Sequence, residues 1–307
     1  MRILFLGAGG VGGYFGGRLM EAGANVSFLV RQRRYAQLME GRLRVTSQHG
    51  DMLLPAQAIT KARKPYDLVV LTCKAYDLDS AMEAIGPAVG PDTIIMPLLN
   101  GLRHMEVLDR HFGPERVMGG LCHIPITLDG EGVVRHLSPI HRLIFGARQP
   151  EQKLMVDKLA SALAPAKVDW QQSDAIMQDM WEKFVFLTTL AAGTCLMRGP
   201  VGAICRQPGG TAFMEALLAE CAAIATAEGH APRPAVMQGY RAQVTDKTSD
   251  VAASMARDMA RGSRTEVEHI LGDMVQKGAA KGVTTSLLSL ALLHLRVHEE
   301  KVAAAKP

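Results

Sequence analysis

Aromatic side chains are scarce, only 5% of 307 residues, while Ala, Gly, Leu and Met are abundant. That mixture excludes an interior filled mainly by large rings and suits helices packed closely on each other or on a sheet. Cysteines are few as well: Cys73, Cys122, Cys195, Cys205 and Cys221 form no CxxC pair and leave an odd count, so they read as reduced thiols of a cytoplasmic protein. Charge of one sign is missing too, with 34 basic against 30 acidic residues and a formal charge of +4. The one dense basic cluster, RQRR at 31–34, is too small for a nucleic-acid footprint, though it suits one phosphorylated small molecule. No unbroken apolar run reaches about 18 residues, and MRILFLGAGG breaks into glycines too early for a signal-peptide core. A membrane role is therefore not expected. No GxSxG or HExxH motif occurs, and His294 with His298 is an i, i+4 pair without a third ligand nearby, so it reads as a solvated face.

What is present is enough for two domains: 48% hydrophobic residues over this length can fill two cores. RILFLG reads as a strand, VGGYFGGRLMEAG has helical spacing with a glycine stop, and NVSFLVR reads as a second strand. Further strand-like runs stand at 67–73, 93–99 and 115–124, and the segments VVRHLSPI and RLIFGA at 133–147 look like a hairpin or edge strands added to the same sheet. Strands alternating with helices imply an α/β fold, a Rossmann-type doubly wound sheet. After Trp170 β-branched runs almost vanish, and helices are expected near 172–197, 209–229, 233–245, 248–261, 264–281 and 284–300. The expected domains are 1–167, a nucleotide-binding unit, and 168–307, an all-helical one.

Gly7, Gly9 and Gly12 in GAGGVG have GxGxxG spacing directly after a strand and at the opening of a helix. The first glycine permits the tight turn, the second lets backbone approach a pyrophosphate, and the third lets the helix pack close to the strand. About 20 residues on, where an NAD-binding unit carries an acid, stands Arg31, whose guanidinium suits the 2′-phosphate of NADP. Arg33 and Arg34 fit either further contacts or a solvated face, with the solvated face preferred. Lys74, past a strand's carboxyl end, fits either the ligand edge or an exposed loop. Asn100, followed by glycine, fits either a hydrogen bond to ribose or nicotinamide or a simple turn pair.

WEKFVFLTTLAAGTC, at 181–195, carries a single ammonium, Lys183, near the edge of an apolar helix. A lone buried ammonium costs free energy, so Lys183 either snorkels to water or is wanted for chemistry. Glu266 closes SRTE at 263–266, which has the pattern of a capping box.

The succession GAGGVGGYFGGRL, LVR, LTCKAYD, LLNGL, MWEKF and ASMARDMARGSRTEVEHI resembles the ketopantoate reductase (2-dehydropantoate 2-reductase) family across nearly the whole chain. The resemblance implies a Rossmann domain that binds NADPH and a helical domain that closes over a small-molecule 2-oxo acid. It places Gly7, Ala8, Gly9, Gly10, Val11, Gly12, Arg31, Lys74, Asn100 and the backbone near Ile124 at the cofactor. It makes Lys183 the proton donor to the substrate carbonyl, Ser254 a substrate ligand, and Glu266 a carboxylate near the nicotinamide ribose and the reacting centre. Asn100 and Lys183 then also border the substrate. The pattern departs where the family has pocket asparagines: this chain has Leu187, Ala191 and Val251. A pocket without those amides disfavours a substrate whose hydroxyl stays unpaired. Two function classes follow, an NADPH-dependent reductase of a 2-oxo acid, more apolar than ketopantoate, or a non-catalytic NADP(H)-binding regulator, and retention of Lys183 and Glu266 favours the enzyme. The Ala-rich helical domain offers a surface for a homodimer.

Overall fold

A computed structural model describes residues 1–304, and the chain forms two compact units. The first comprises Met1–Leu99 with His104–Met177; the second comprises Asn100–Arg103 with the residues from Gln178 onward.

In the first unit the chain runs β1 (Arg2–Leu6), α1 (Gly10–Glu21), β2 (Asn25–Leu29), α2 (Gln32–Gly41), β3 (Leu43–Thr46), β4 (Met52–Leu54), β5 (Ala58–Ile59), β6 (Leu68–Leu71), α3 (Leu78–Ile85), β7 (Ile94–Pro97) and α4 (Arg103–Phe112). A parallel five-stranded sheet has the order β5-β2-β1-β6-β7. Both faces of its centre are covered, so β6 and β7 are buried at every residue and read as continuous apolar runs rather than alternating ones. Glycines in α1 let it lie between two sheets. A Cβ at Gly16 would stand 2.6 Å from the Phe28 ring of the parallel sheet, and one at Gly13 would stand 2.8 Å from Val134 on the other side.

The unit continues with β8 (Gly119–His123), β9 (Ile126–Leu128), β10 (Val133–His136), β11 (Arg142–Gly146), α5 (Lys153–Leu163) and β12 (Asp169–Gln172). The expected hairpin or edge strands at 133–147 are not found on the parallel sheet. β10 joins a four-stranded sheet, β4-β3-β10-β9, whereas β11 joins a three-stranded one, β12-β11-β8. The connection between them cannot fold back as a hairpin because its groups are committed elsewhere. Leu137 N donates to Pro125 O, Gln48 Nε2 donates to the His136 carbonyl, and the His136 ring bonds the Ile140 carbonyl. The run at 115–124 meets the parallel sheet only as a bridge from Val117 to Ile95 before it enters β8. Pairing of β12 with β11 keeps the segment after residue 167 in the first unit, which ends at Met177.

The second unit is helical: α6 (Ile176–Leu196, entering from the first unit), α7 (Val201–Cys205), α8 (Gly210–Ala227), α9 (Pro234–Val244), α10 (Ser254–Ala260), a π-helical turn (Glu268–Gly272) running into α11 (Asp273–Ala280), and α12 (Ser286–Ala304). α8 is long and apolar enough to cross a membrane by length and composition, with mean hydropathy 1.3 over 18 residues. It packs against α7, α9, α11 and α12 and buries Met214, Leu217, Leu218, Cys221, Ile224 and Ala225, as the core helix of a bundle does. Its Glu220 carboxylate accepts the Leu287 and Leu288 amides, both at 3.0 Å, satisfying donors that the start of α12 leaves open.

Three expected helices start late, the first because residue 172 still pairs in β12 and α6 begins at Ile176. Residues 248–253 are irregular because Val251 O accepts the Val201 amide and Ala253 N donates to Thr194 Oγ1, which ties this stretch to α7 and α6. SRTE is not a capping box: the Ser263 amide is taken by the Asp258 carbonyl, and helical structure begins only at Val267.

Candidate active site

The first unit holds a cleft of about 590 Å³ at the carboxyl ends of β1, β2 and β6. Gly7, Ala8, Gly9 and Arg31 line it, together with Thr72, Cys73, Asp77 and Ser80. Gly7 has φ +100°, and its amide donates to Leu29 O over 2.9 Å, so the turn out of β1 is tied to the end of β2. Gly9 caps α1 without any side-chain cap, and a Cβ there would meet nothing within 4 Å. The helix amides therefore face open space, the arrangement in which a helix N-terminus takes up an anion. A Cβ at Gly12 would stand 2.3 Å from Gly7 O and 2.5 Å from Thr72 Oγ1, so only glycine allows the helix to seat against its own turn. A Cβ at Gly10 would stand 3.0 Å from the Ile126 side chain, a looser fit than at Gly12, while Val11 and Ile124 are partly buried against the core. The residues present fit a dinucleotide.

Arg34 is not a solvated face. Its Nε donates to Ala8 O and its Nη1 to Gly132 O, both over 2.9 Å, so the guanidinium ties the glycine turn to the β9–β10 turn. Burial, and Arg44 nearby, pull its pKa below the usual arginine value. The polar run RQRR hides this because the partners are carbonyls of distant turns. Arg33 is exposed. Lys74 is exposed at the start of the 3-10 turn Ala75–Asp77. Asp77, the last residue of LTCKAYD, places Oδ2 3.2 Å from Arg31 Nη2, a pairing that nothing in its own segment signals.

The second unit brings Lys183, Asn100 and the segment after Glu266 together. Lys183 Nζ donates to Asn100 Oδ1 over 3.2 Å. The neighbouring charge on α6 acts differently, since Glu182 is buried and accepts from the Arg233 amide and Nε, each over 2.8 Å. Burial pushes the Glu182 carboxyl up, yet the Arg233 hydrogen bonds outweigh it and hold the group below the ordinary range. Glu182 thus secures the start of α9, and Lys183, one residue on, is held by Asn100.

Gly101 follows Asn100 with φ +83°, and a Cβ there would stand 2.6 Å from His269 O. The Asn100–Gly101 turn therefore rests directly on the π-helical turn. Glu266 stands two residues before that turn, buried to 3% exposure, and its carbonyl accepts the amides of both His269 and Ile270 at 3.1 Å. Single π turns of this kind recur at functional sites. The Thr265 amide donates to Glu299 Oε1 over 2.7 Å, which fixes the approach to Glu266 against α12.

Leu187 is half-buried and Ala191 buried, one and two turns beyond Lys183 on the same helix face. Val251 and Ser254 are exposed. Their segment is anchored at Thr194, three turns and about 16 Å further along α6 than Lys183. Among the described residues no group of three or more His, Cys, Asp or Glu side chains is arranged to hold a metal ion.

Comparison with known proteins finds relatives that span both units. Residues 3–150 match the family model described as ketopantoate reductase PanE/ApbA, and residues 175–299 match the model of its C-terminal part. An uncharacterized oxidoreductase of Bacillus subtilis, YkpB, is 34% identical over 97% of this chain and 99% of its own. A 2-dehydropantoate 2-reductase of Halobacterium salinarum is 28% identical over 90% of this chain and 92% of its own. The crystal structure of a PanE/ApbA family ketopantoate reductase from Ralstonia eutropha superimposes with a TM-score of 0.88 at 28% identity, covering 99% of this chain and 100% of that one.

Proposed function

This chain belongs to the ketopantoate reductase family, an oxidoreductase family, and from that premise we propose that it reduces a 2-oxo acid to the 2-hydroxy acid with NADPH. The observation that carries the proposal is the hydrogen bond from Lys183 to Asn100, which keeps an ammonium at the edge of an apolar helix in a defined place.

The glycine turn Gly7–Gly12 and the open start of α1 would hold the pyrophosphate, and Arg31 would pair with the 2′-phosphate. NADPH, when bound, supplies a hydride to the carbonyl carbon. Negative charge then grows on the carbonyl oxygen, where the Lys183 ammonium stabilises it and donates a proton. Asn100 aims that ammonium through Oδ1. Glu266 stands on the π-turn side of the same cluster, and the family resemblance assigns it to the nicotinamide ribose and the reacting centre. Lys74 and the backbone near Ile124 would complete the cofactor contacts, whereas Ser254, in a segment anchored at Thr194, stands apart from Lys183 and carries no part of the proposal.

The substrate has a more apolar tail than ketopantoate, because Leu187 and Ala191 follow Lys183 along its face of α6 and offer no hydrogen bond to a terminal hydroxyl. Incubating the protein with NADPH and a panel of 2-oxo acids, and following loss of the reduced-nicotinamide absorbance, tests the reading. Turnover is expected with branched or aromatic tails. Tight NADPH binding without turnover of any member would instead identify a non-catalytic NADP(H)-binding regulator.

A further inference from the structure

The nucleotide cleft contains an acid where the glycine-loop pattern supplies only a base. In NAD-binding units an acid at the end of the second strand accepts the ribose 2′-hydroxyl, and Arg31 stands in its place here. Asp77 restores a carboxylate to that place from the turn after β6, with Oδ2 3.2 Å from Arg31 Nη2. Both residues line the cleft.

We infer that the choice between NADPH and NADH is set by the Arg31–Asp77 pair and not by Arg31 alone, with Asp77 holding down the preference for the phosphorylated cofactor. The inference rests on the reading of this cleft as the cofactor site. The two partners differ in freedom. The Arg31 side chain is 79% exposed and can swing, whereas Asp77 is 34% exposed. The Asp77 backbone is fixed as well, its amide donating to Lys74 O and its carbonyl accepting from Ser80 Oγ, both over 2.9 Å. A 2′-phosphate that pairs with Arg31 must therefore compete with a carboxylate that is mounted on a fixed turn and shares its sign. A 2′-hydroxyl faces no such conflict, since the same carboxylate can accept its hydrogen bond.

The other charged groups lining the cleft do not cancel this effect. Arg34 is committed to the Ala8 and Gly132 carbonyls. Asp129 is committed to Arg135 Nε and to the Glu131 and Val133 amides. Arg33 is exposed on the first turn of α2 and adds only a screened attraction.

Asp77→Asn tests the inference, because it removes the charge while keeping both backbone hydrogen bonds. Fluorescence titration of the full chain with NADPH and with NADH should show NADPH binding tightened by about threefold to tenfold, with NADH unchanged or weaker. Asp77→Ser should show the same direction. A purely structural role for Asp77 would move both affinities together, and that result, or an unchanged ratio of the two, overturns the inference. If the parent chain binds neither cofactor, the reading of the cleft falls and the inference falls with it. If the parent binds NADPH and the ratio does not respond to Asp77→Asn, only the inference is lost.

Discussion

Lys183 Nζ and Asn100 Oδ1 stand 3.2 Å apart, so the cation of α6 is held by an amide from the short segment Asn100–Arg103 that packs with the second unit. An ammonium held in this way loses less rotamer freedom when it meets a substrate oxygen. Asn100→Ala should therefore lower kcat while leaving Lys183 able to donate, a loss of about tenfold to a hundredfold, smaller than that of removing the lysine itself. Steady-state kinetics of the two variants side by side give the comparison. Equal losses would mean that Asn100 has a direct role of its own.

The turn that carries Asn100 depends on Gly101, which combines φ +83° with a 2.6 Å clash for any added Cβ. Gly101→Ala should destabilise the fold by about 1–3 kcal/mol and displace Asn100. Gly229 has nearly the same backbone, φ +86°, but nothing within 4 Å of the added carbon, so Gly229→Ala isolates the conformational cost. Thermal or urea unfolding should place Gly101→Ala clearly below Gly229→Ala, and only the former should lose kcat.

A buried histidine cluster makes the first unit sensitive to acid. His141 shares a 2.8 Å hydrogen bond with the Tyr14 hydroxyl and stacks on His49 with ring centroids 3.6 Å apart. Burial, with His49, His136 and Arg18 nearby, pushes its pKa down from 6.5 to about 4. The folded chain thus keeps His141 neutral where the unfolded chain takes up a proton. Stability from this group is complete above pH 6.5 and is lost as pH falls toward 4, by roughly 3 kcal/mol in full. His136, also shifted down by burial, acts in the same direction. Urea midpoints measured between pH 7 and pH 5 should fall for the parent and fall less for His141→Gln; parallel slopes would contradict the assignment.

Much of the fold can be read from local pattern, and the failures share a cause. The β1-α1-β2 unit shows itself because strand period, helix period and glycine spacing all act within a few residues. The partners of β10 and β11 do not, because both strands have similar composition and their surroundings are fixed by distant groups, such as Ser47 and Gln48, which bond His136 from 89 and 88 residues away. Arg34 looks solvated in the sequence for the same reason: its neighbours there are polar, while its partners are Ala8 and Gly132. Asp77 gives no local sign of Arg31, and only the parallel sheet, with β1 between them, brings the carboxyl ends of β6 and β2 to the same edge. Lys183 is conspicuous as the one ammonium in an apolar helix, yet nothing in its own segment points to Asn100 as its partner. SRTE has the residue types of a capping box, but the Asp258 carbonyl takes the amide that a capping box requires.

In the proposed mechanism the apolar stretch beyond Lys183 meets the tail of the substrate. Leu187→Asn combined with Ala191→Asn should shift kcat/KM toward ketopantoate by about one to two decades relative to a plain branched 2-oxo acid, since a buried unpaired hydroxyl costs about 1–3 kcal/mol. Ala191 is 2% exposed, so the added volume must be checked by unfolding before the kinetics are compared. A parent enzyme that reduces ketopantoate at least tenfold more efficiently than every plain-tailed analogue would contradict the assignment of this wall.

In the proposed mechanism Lys183 protonates the substrate oxygen while cofactor binding resides in the first unit. Measuring kcat and NADPH affinity for Lys183→Ala on the same preparation separates the two functions. The expected result is a fall in kcat of about 10²- to 10⁴-fold with the Kd for NADPH nearly unchanged. Near-parental kcat would show that Lys183 only carries its charge to solvent, and the mechanism would be wrong.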